Sequence, residues 1–585
     1  MSASGILRNT RLAASTVATH LGDDPVLLLL QVGRRMPYSM VRRIARAAAR
    51  LPVRGPGVLP ILAAHLLGNT TQVTDLLDAA QENRPGGAQA RWMAEIALAT
   101  GNPEAADGLL ESERGRTAEG RTAGTLARRA WYDGDMSGAV RILQEAGDGR
   151  YAARLSAELQ VFRGWNPAVD PATGYVPRRK TVLHVLTNSL PHTHSGYAQR
   201  SHSILKAQQE QGWDVHAVTR VGYPVQVGKI LADDVDVVDG VTYHRLLPAR
   251  LAPGFDGRLQ QQAEDLLALA LKLRPSVLHT TTHFVNGLVT GEVAGALGIP
   301  WVYEVRGQLA DTWASSRHER AKSSERYKLF TDREAQVMRN ASLVVTLGEA
   351  MKQEIMRAGV PEDRILLGPN AVGEEYLAEP VASTEARRQL GLPEDGVFVG
   401  TVSSLVEYEG LDHLLRAVAL LEPTHPQLRC LIVGDGVARP ALESLAVELG
   451  ISGKVLFTGR VPRARARLHH LALDIFAVPR RDFDVTRSVT PLKPVEAMAC
   501  ARPVIASDLP ALREIVTVGT TGILVEPSNP DALAAAISGL LAGGSVDQSA
   551  VRMGREGRRT VLEQRTWAGN AAAYQKAYAA VGAGE

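Results

Sequence analysis

The stretch from Arg480 to Asp508 reads RRDFDVTRSVTPLKPVEAMACARPVIASD and gathers the residue types that could hold a phosphate-bearing, hydroxyl-rich ligand. Pro494 suits the first turn of a helix, where its missing N–H has no partner to lose. The pattern predicts a short helix over Val495–Cys500, then Arg502-Pro503 and a buried strand over Val504–Ala506. The loop Pro491-Leu492 leads into that helix. Unpaired N–H groups and the positive dipole end at a helix start suit a phosphate. Lys493 stands one residue before the turn, and Arg481 precedes it in the same loop. Glu496 projects from the helix as an acceptor for sugar or ribose hydroxyls.

Other groups carry weaker chemistry. Gly434-Asp435-Gly436 follows a strand and would let backbone approach a nucleotide, but the third glycine of a dinucleotide fingerprint is missing. His279 and His283 lie four apart at a strand end, on one face, without the acidic or cysteine neighbours of a metal site, so a polar contact in a cleft is the better reading. Asp234-Val235-Asp236 and Asp482-Phe483-Asp484 are acid–X–acid patterns of the kind that hold a divalent ion on a nucleotide diphosphate. The first reads as a solvated loop edge, the second as a group that either holds a hydroxyl or balances the nearby arginines. Arg306 ends the strand WVYEVRG, where a guanidinium could grip phosphate in a bidentate manner. The competing reading is a salt bridge to Glu304 or to the following helix.

The elements that position these groups need several domains, since 585 residues exceed one domain. The 45% hydrophobic content supports large cores, and a formal charge of +3 argues against nucleic acid as a main partner. Two cysteines in dissimilar contexts exclude a disulfide framework and a thiolate metal site, and fit a reducing compartment. No signal peptide pattern opens the chain. The longest early apolar run, Val26–Leu30, falls far short of the roughly 20 residues of a membrane span.

Residues 1–165 read as all-helical. HLLGNTTQVTDLLDAA, ALATGNPEAADGLLES and AWYDGDMSGAVRILQEA place Gly68, Gly101 and Gly134 at intervals of 33 residues. A glycine–polar turn between apolar helices at that period marks a helical-hairpin array. It resembles a degenerate tetratricopeptide array. Such an array offers a docking surface for a protein partner or for the second half of the chain, and an irregular helical cap is the plain alternative. The helix predicted around Met40–Leu51 carries Arg42, Arg43, Arg46 and Arg50, read as a solvated face with a membrane-surface face as the alternative. Residues 166–180 form a Pro- and Gly-rich linker. Strand–helix alternation follows, with strands at Thr181–Leu186, Trp213–Thr219, Ser276–Thr282, Trp301–Val305, Leu343–Thr346 and Ile365–Leu367, and a long helix from about His318 to Met338. After a polar connection near Glu379–Ala386 a second series brings strands Val397–Val402, Cys430–Val433, Val455–Phe457, Ile475–Val478 and Val504–Ala506. This is an α/β pattern of two doubly wound units, whose strand C-termini would face a cleft.

From about Thr181 to Tyr578 the chain resembles the retaining glycosyltransferases of family GT4. The matches, in order, are TNSLPHTHSGYAQ, HFVNGLVTGEVAGALGIPWVYEVRG, ASLVVTLGEAMKQEIMRAGVPEDRILLGPNAV, VGTVSSLVEYEGLDHLLRAV, LIVGDGVARPALESLA, VLFTGRVPRARARLHHLALDIFAVP, TPLKPVEAMACARPVIASD and GTTGILVEPSNPDALAAAI. The resemblance implies a GT-B fold: an acceptor domain over 181–380, a donor domain over 381–565, and a helix over 566–585 that crosses back. It implies transfer of a hexose from a nucleotide-diphosphate sugar to an acceptor hydroxyl, with no cofactor and no metal. Glu496 matches the ribose-holding second glutamate of the family's Glu-x7-Glu motif, and Gly196 matches the loop near the donor phosphates. Gly434, Pro491 and Leu492 complete the implied donor side, and His279, His283 and Asn286 the acceptor side.

The departures matter as much. The first glutamate of the motif falls at Ser488. The Arg/Lys pair that follows the first strand of the donor domain is absent, with Ser403 and Glu409 near those places. A histidine is replaced by Arg306, and a glycine by Ala501, so the helix end there is expected to differ locally. Lys493, Arg306 and Arg481 are the candidates to replace the missing charge, with Lys493 and Arg306 assigned to catalysis. YEG with TPLKPxEAMA resembles a subgroup of exopolysaccharide clusters. The expected setting is cytoplasmic, at the inner face of a membrane, with a glycan or glycolipid acceptor. The alternative is a non-catalytic nucleotide-sugar-binding scaffold that docks partners through its helical repeats.

Overall fold

The computed structural model describes residues 3–23, 40, 43, 58–66, 69–83, 87–111, 121–315, 317 and 319–583. Apart from residues 40 and 43, the helix predicted around Met40–Leu51 lies outside the described residues, as does the glycine at 68. The chain divides into two compact units: Met1–His194 with His216–Trp301 and Leu309–Ala341, and Ser195–Val215 with Val302–Gln308 and Ser342–Glu585. These units cut the chain differently from the linear boundaries the sequence implies.

The first unit begins with α1 (Ala3–Asp23) and continues through α2 (Val58–Leu66), α3 (Thr70–Glu82), α4 (Gly87–Ala99), α5 (Pro103–Glu111), α6 (Arg121–Asp133), α7 (Met136–Glu145) and α8 (Gly149–Phe162). The helices α2 to α7 form three hairpins, each closed by one recurring turn. The N–H groups of Asn69, Asn102 and Asp135 donate to the carbonyls of Ala64, Ala97 and Ala130, at 3.0, 2.8 and 2.9 Å. That is the six-to-one bond of a Schellman helix end, which needs a left-handed residue. Gly101 and Gly134 supply it, at φ of +85° and +86°. Asn69 and Asp135 then cap the next helix by accepting from Gln72 N and Gly138 N. The period of 33 residues is thus a repeated turn. The first two hairpins share a core of Ile61, Leu77, Met93, Ile96, Leu109 and Leu110.

The segment 166–180 holds no helix or strand, yet it is tied down: Tyr175 Oη donates to Pro275 O at 2.7 Å, and Arg178 N to Arg274 O at 2.7 Å. The strands of this unit are β1 (Thr181–Leu186), β2 (Asp214–Thr219), β3 (Val235–Val238), β4 (Val241–Arg245) and β5 (Val277–Thr281), in the order β3-β4-β2-β1-β5. The β3–β4 hairpin corrects the reading of Asp234–Asp236 as a solvated loop edge. Asp239-Gly240 takes positive φ at both positions, the two-residue turn that pairs twisted strands. Asp236 then sits on β3, where it accepts from Arg245 Nε at 2.8 Å and lies 3.1 Å from His192 Nε2. The predicted helix from His318 is also corrected. Residues Glu319–Ser323 form a 3-10 turn, and Ser324 opens a separate helix, Glu325–Asn340, by accepting from Tyr327 N.

The second unit carries β6 (Trp301–Val305), β7 (Leu343–Thr346) and β8 (Ile365–Leu367), parallel and in that order. Its other sheet has six parallel strands, β9 (Val397–Val402), β10 (Leu428–Val433), β11 (Val455–Gly459), β12 (Ile475–Val478), β13 (Val504–Ser507) and β14 (Gly522–Val525), ordered β11-β10-β9-β12-β13-β14. Both sides of this sheet are covered: Leu414, Leu415, Ile432, Ile505 and Ile537 fill one layer, and Phe398, Leu431, Phe476, Val495 and Val504 the other. The helix Gly196–Glu210 packs on the C-terminal helix Trp567–Ala580, with Gln208 Nε2 donating to Tyr578 Oη at 2.9 Å and Trp213 set edge-on to Tyr578.

Candidate active site

The site begins where β9, β10 and β12 end. The β9 strand runs into a tight loop, and the glycine of β10's loop explains the packing: a Cβ on Gly434 would fall 1.8 Å from Ser403 O, and one on Gly436 2.1 Å from Leu405 O. The Gly434–Gly436 turn therefore approaches its own chain, not open space. Ser403 N donates to Val433 O at 2.8 Å, and the buried Ser403 Oγ has no hydrogen-bond partner among the described residues. The buried Thr490 Oγ1 is in the same condition. Unpaired buried hydroxyls are costly unless something fills their bonds.

Glu409 is the residue that sequence reasoning undervalued. It is 3% exposed and receives two cations. Arg480 Nη2 donates to Oε1 at 3.0 Å and Arg480 Nε to Oε2 at 3.2 Å, while Lys493 Nζ donates to Oε1 at 2.8 Å. Burial alone would raise the carboxyl's pKa, but Arg480 and Lys493 more than offset it and bring it down to about 2. The triad holds two positive charges against one negative. Arg480 is buried, whereas the Lys493 side chain keeps 26% exposure and so faces outward. Arg480 Nη1 also donates to Val489 O at 3.1 Å, which fixes the loop before Pro491. Arg481 does not face a ligand freely: its Nη2 donates to Asp412 at 2.9 Å. Asp482 pairs with Arg487, so of its two readings the balance of an arginine is the one realised.

The short helix spans Lys493–Ala499, two residues earlier at its start than the pattern predicts, and Leu492 at its start offers no capping side chain. A five-residue helix, Asp484–Ser488, precedes it. Ser488, at the place of the missing glutamate, donates through Oγ to Asp484 O at 3.1 Å and to Gln308 Oε1 at 3.3 Å. Glu496 is buried in the helix, with Arg463 Nη1 at 2.8 Å on Oε1 and His470 Nε2 at 3.4 Å from Oε2. Burial pushes its pKa up, and Arg463 and His470 pull it down further, to about 2. It is an ionised acceptor held in one orientation. The signal for Arg463 and His470 was the basic run VPRARARLHH. The helix end corrects one expectation. Ala501 takes the left-handed position itself, at φ +57°, and Arg502 N still closes the six-to-one bond to Ala497 O at 3.0 Å.

Arg306 does not reach toward a ligand. Its Nη2 donates to Glu304 Oε2 at 2.5 Å, and its Nη1 to Ser201 Oγ at 2.7 Å and Tyr197 O at 3.3 Å. The salt-bridge reading is the one realised, and the guanidinium fixes the helix Gly196–Glu210. Arg200 from that helix also grips Glu304, at 2.6 Å, and donates to Gly368 O and to Asn370 Oδ1. Asn370 in turn donates to Thr490 O at 2.8 Å. One connected network thus runs from the glycine-headed helix to the loop that carries Lys493. Ser195 caps that helix by accepting from Ala198 N, and a Cβ on Gly196 would meet nothing within 4 Å, so space is open beside the first turn.

In the other unit, His279 is fully buried and stacks on His184 at 4.5 Å, a core position rather than a contact surface. His283 caps the helix Phe284–Leu297 by accepting from Val285 N, and it packs on Phe330. Asn286 Nδ2 donates to Thr187 Oγ1 at 2.8 Å and to Thr281 O at 3.1 Å, tying the loop after β1 to that after β5. Among the described residues no group of three or more His, Cys, Asp or Glu is placed to hold a metal ion. No helix among them is long and apolar enough to cross a membrane.

This cluster, a buried acid and a paired lysine, stands at the C-terminal ends of parallel strands, where ligands bind in open α/β sheets. Comparison with known proteins gives the family. Residues 195–371 match the glycosyl transferase 4-like domain, and residues 382–560 match glycosyl transferases group 1; between them they cover more than half of the chain. The chain belongs to the GT4-type glycosyltransferases. It is 33% identical over 203 residues to a GDP-mannose-dependent alpha-(1-6)-phosphatidylinositol monomannoside mannosyltransferase of Mycolicibacterium smegmatis, covering 34% of this chain and 52% of that protein. The match thus spans about half of that relative's length. It is 28% identical over 392 residues to a D-inositol 3-phosphate glycosyltransferase of Geodermatophilus obscurus, covering 63% and 83%. Among solved structures, sucrose-phosphate synthase of Thermosynechococcus elongatus aligns at a TM-score of 0.56 with 23% identity, over 69% of this chain and all of that one. HepE of Anabaena, in complex with UDP-glucose, aligns at 0.53 with 16% identity, over 68% and 99%. The fold is GT-B, two Rossmann-like domains preceded by a helical region of some 160 residues.

Proposed function

We propose that this chain is a retaining hexosyltransferase that moves a hexose from a nucleotide-diphosphate sugar to an acceptor hydroxyl in the making of an envelope polysaccharide or glycolipid. The observation that carries the proposal is the Arg480–Glu409–Lys493 triad beside Glu496. Glu496, ionised and clasped by Arg463 and His470, is a fixed acceptor for the two ribose hydroxyls. Lys493 is held by Glu409 and partly exposed, which supports a role for it in meeting the diphosphate. The buried hydroxyls of Ser403 and Thr490, without partners among the described residues, are further donors in this reading. The bond between the sugar's C1 and the phosphate oxygen breaks as negative charge grows on the leaving diphosphate. Fixed donors that meet that charge lower the barrier without reorganising. The acceptor oxygen then bonds to C1 on the same face, and its proton passes to the leaving phosphate oxygen, so configuration is kept. Arg306 is assigned a positioning role, because it holds Tyr197 and Ser201 beside Gly196. The reaction so written calls for no cofactor and no metal. The helical array, beyond what it contributes to the fold, remains available to a protein partner or a membrane surface.

The test is a thermal-shift panel of UDP-, GDP- and ADP-sugars on the full chain, then nucleotide release with candidate acceptors. One nucleotide should stabilise the chain, and Lys493→Ala and Glu496→Ala should each remove most of that shift. Stabilisation by no nucleotide would sink the reading, and a chain that binds donor but releases no nucleotide with any acceptor would favour the scaffold alternative.

A further inference from the structure

The turn of the third hairpin is wedged into the segment between residues 309 and 326. Gly134 O accepts from Arg326 N at 2.9 Å. Ser137 N and Oγ both donate to the Glu325 carboxylate, at 2.7 and 2.5 Å, and Arg163 adds a bond at 2.9 Å. Arg317 Nε donates to Tyr132 O, and its guanidinium lies over the rings of Tyr132 and Trp313, 4.7 and 4.4 Å from their centres. A Cβ on Gly134 would fall 2.5 Å from Ser324 Oγ and 2.9 Å from the Trp313 ring, so glycine is what lets the two pieces meet. Where they meet they leave a recess of about 760 Å³. Its charged walls are Arg129, Asp133 and Asp135 of the hairpin and Arg317, Arg320 and Glu325 of the segment.

That volume lies in the range of small-molecule sites. Three guanidiniums face three carboxylates, so the walls carry no net charge and a multiply charged anion gains little there. A sugar hydroxyl both donates and accepts, and matches alternating forks of each kind. The forks are already ordered: Arg129 is clamped by Asp107 at 3.1 and 2.7 Å, and Asp135 Oδ1 is held by Gly138 N at 2.8 Å. Pre-set side chains lose little freedom on binding. Arg320 is exposed, and no protein partner for its guanidinium is found among the described residues. The hairpin residues lie outside both segments that match the family, while Arg317, Arg320 and Glu325 lie inside the 195–371 match, so this recess forms only where the extension of this chain meets the family domain.

We propose that this recess binds one sugar unit of a neutral carbohydrate chain through its hydroxyls, as an acceptor subsite apart from the transfer centre. It rests on the glycosyltransferase reading above. The test is saturation-transfer NMR on the full chain with maltose, cellobiose and α-1,6-mannobiose, each at about 10 mM, a range that detects weak binding. Transfer from at least one disaccharide is expected. Arg320→Ala, and Asp133→Trp at the exposed rim, should each weaken it by about tenfold, the loss of one or two hydrogen bonds to a charged group. Inorganic phosphate should not compete, and circular dichroism should be unchanged in both variants. Transfer from none of the three sugars, equal affinity in the variants, or displacement by phosphate would overturn the proposal. UDP, GDP and ADP thermal shifts on the same samples keep the two readings separate: they should be untouched by either variant, and their absence in the parent chain would strike the glycosyltransferase reading and not the recess.

Discussion

Glu409 and Lys493 allow stability and ligand binding to be pulled apart. Glu409 is buried and its carboxyl pKa lies at about 2 against an ordinary 4.5, a difference worth about 3 kcal/mol of ionic stabilisation. Glu409→Gln removes that charge and leaves Arg480, itself buried, without its counter-ion. Breaking a buried pair from one side costs about 3 to 5 kcal/mol. In a unit of this size each kcal/mol shifts the melting point by about 2–4 °C, so a fall of about 10 °C is expected. Lys493 is partly exposed, and solvent screens its half of the triad. Lys493→Met should therefore cost only about 1 kcal/mol, a shift of a few degrees. In nucleotide binding the order reverses. Losing a charge-assisted contact to a phosphate should raise the Kd of the preferred nucleoside diphosphate by about tenfold or more in Lys493→Met. The assays are scanning calorimetry without ligand and isothermal titration with UDP, GDP and ADP. If Lys493→Met lowered the melting point as much as Glu409→Gln and left nucleotide affinity untouched, the lysine would be a structural partner of Glu409 and the donor-site argument would fail.

Three further outcomes follow. Glu409 and Glu496 both titrate lower in the folded state than in the unfolded one, so the unfolded chain takes up more protons between pH 4.5 and 2. Their stabilisation is complete above about pH 4.5 and is lost as pH falls toward 2, and Glu409→Gln should flatten that slope in urea titrations run across the window. His283 is pushed down to about 4 by burial and by Arg326, so the same sign applies one window higher: stability should decline from pH 6.5 to 4, and His283→Asn, which can still cap, should lessen the decline. Gly434→Ala should fail to fold stably, because its Cβ would overlap Ser403 O, whereas Gly196→Ala meets open space and should melt with the parent while binding nucleotide more weakly; equal melting points for the two would contradict the packing described.

Much of the fold was legible because strands in parallel sheets are continuous apolar runs. Thr181–Leu186, Leu343–Thr346, Ile365–Leu367, Val397–Val402 and Ile475–Val478 fall where the sequence predicts them. The repeat was legible for a similar reason, since glycine followed by Asn or Asp encodes both the left-handed turn and the next cap. The β3–β4 hairpin was missed although Asp239-Gly240 is a strong turn signal, because the aspartates around it drew a loop reading. The break at Ser324 was missed because helical periodicity runs across a capping serine.

The site divides along the same line. Residue type and local order determined that Glu496 heads a short helix after a phosphate-suited loop, since a proline and an acid at fixed spacing act within one turn. Local order could not determine what each charge faces. Arg306 and Lys493 look alike in sequence, two cations beside a strand end and a helix start. Burial against Glu304 ties the first to the helix of Gly196, and the second keeps an exposed flank while it pairs with Glu409. Glu409, 84 residues before Lys493 in the chain, becomes its partner only when β9 and β12 lie side by side. Electrostatic pairing depends on distance in space, which the sequence does not carry, and so the tertiary structure alone decided which charges are available for chemistry.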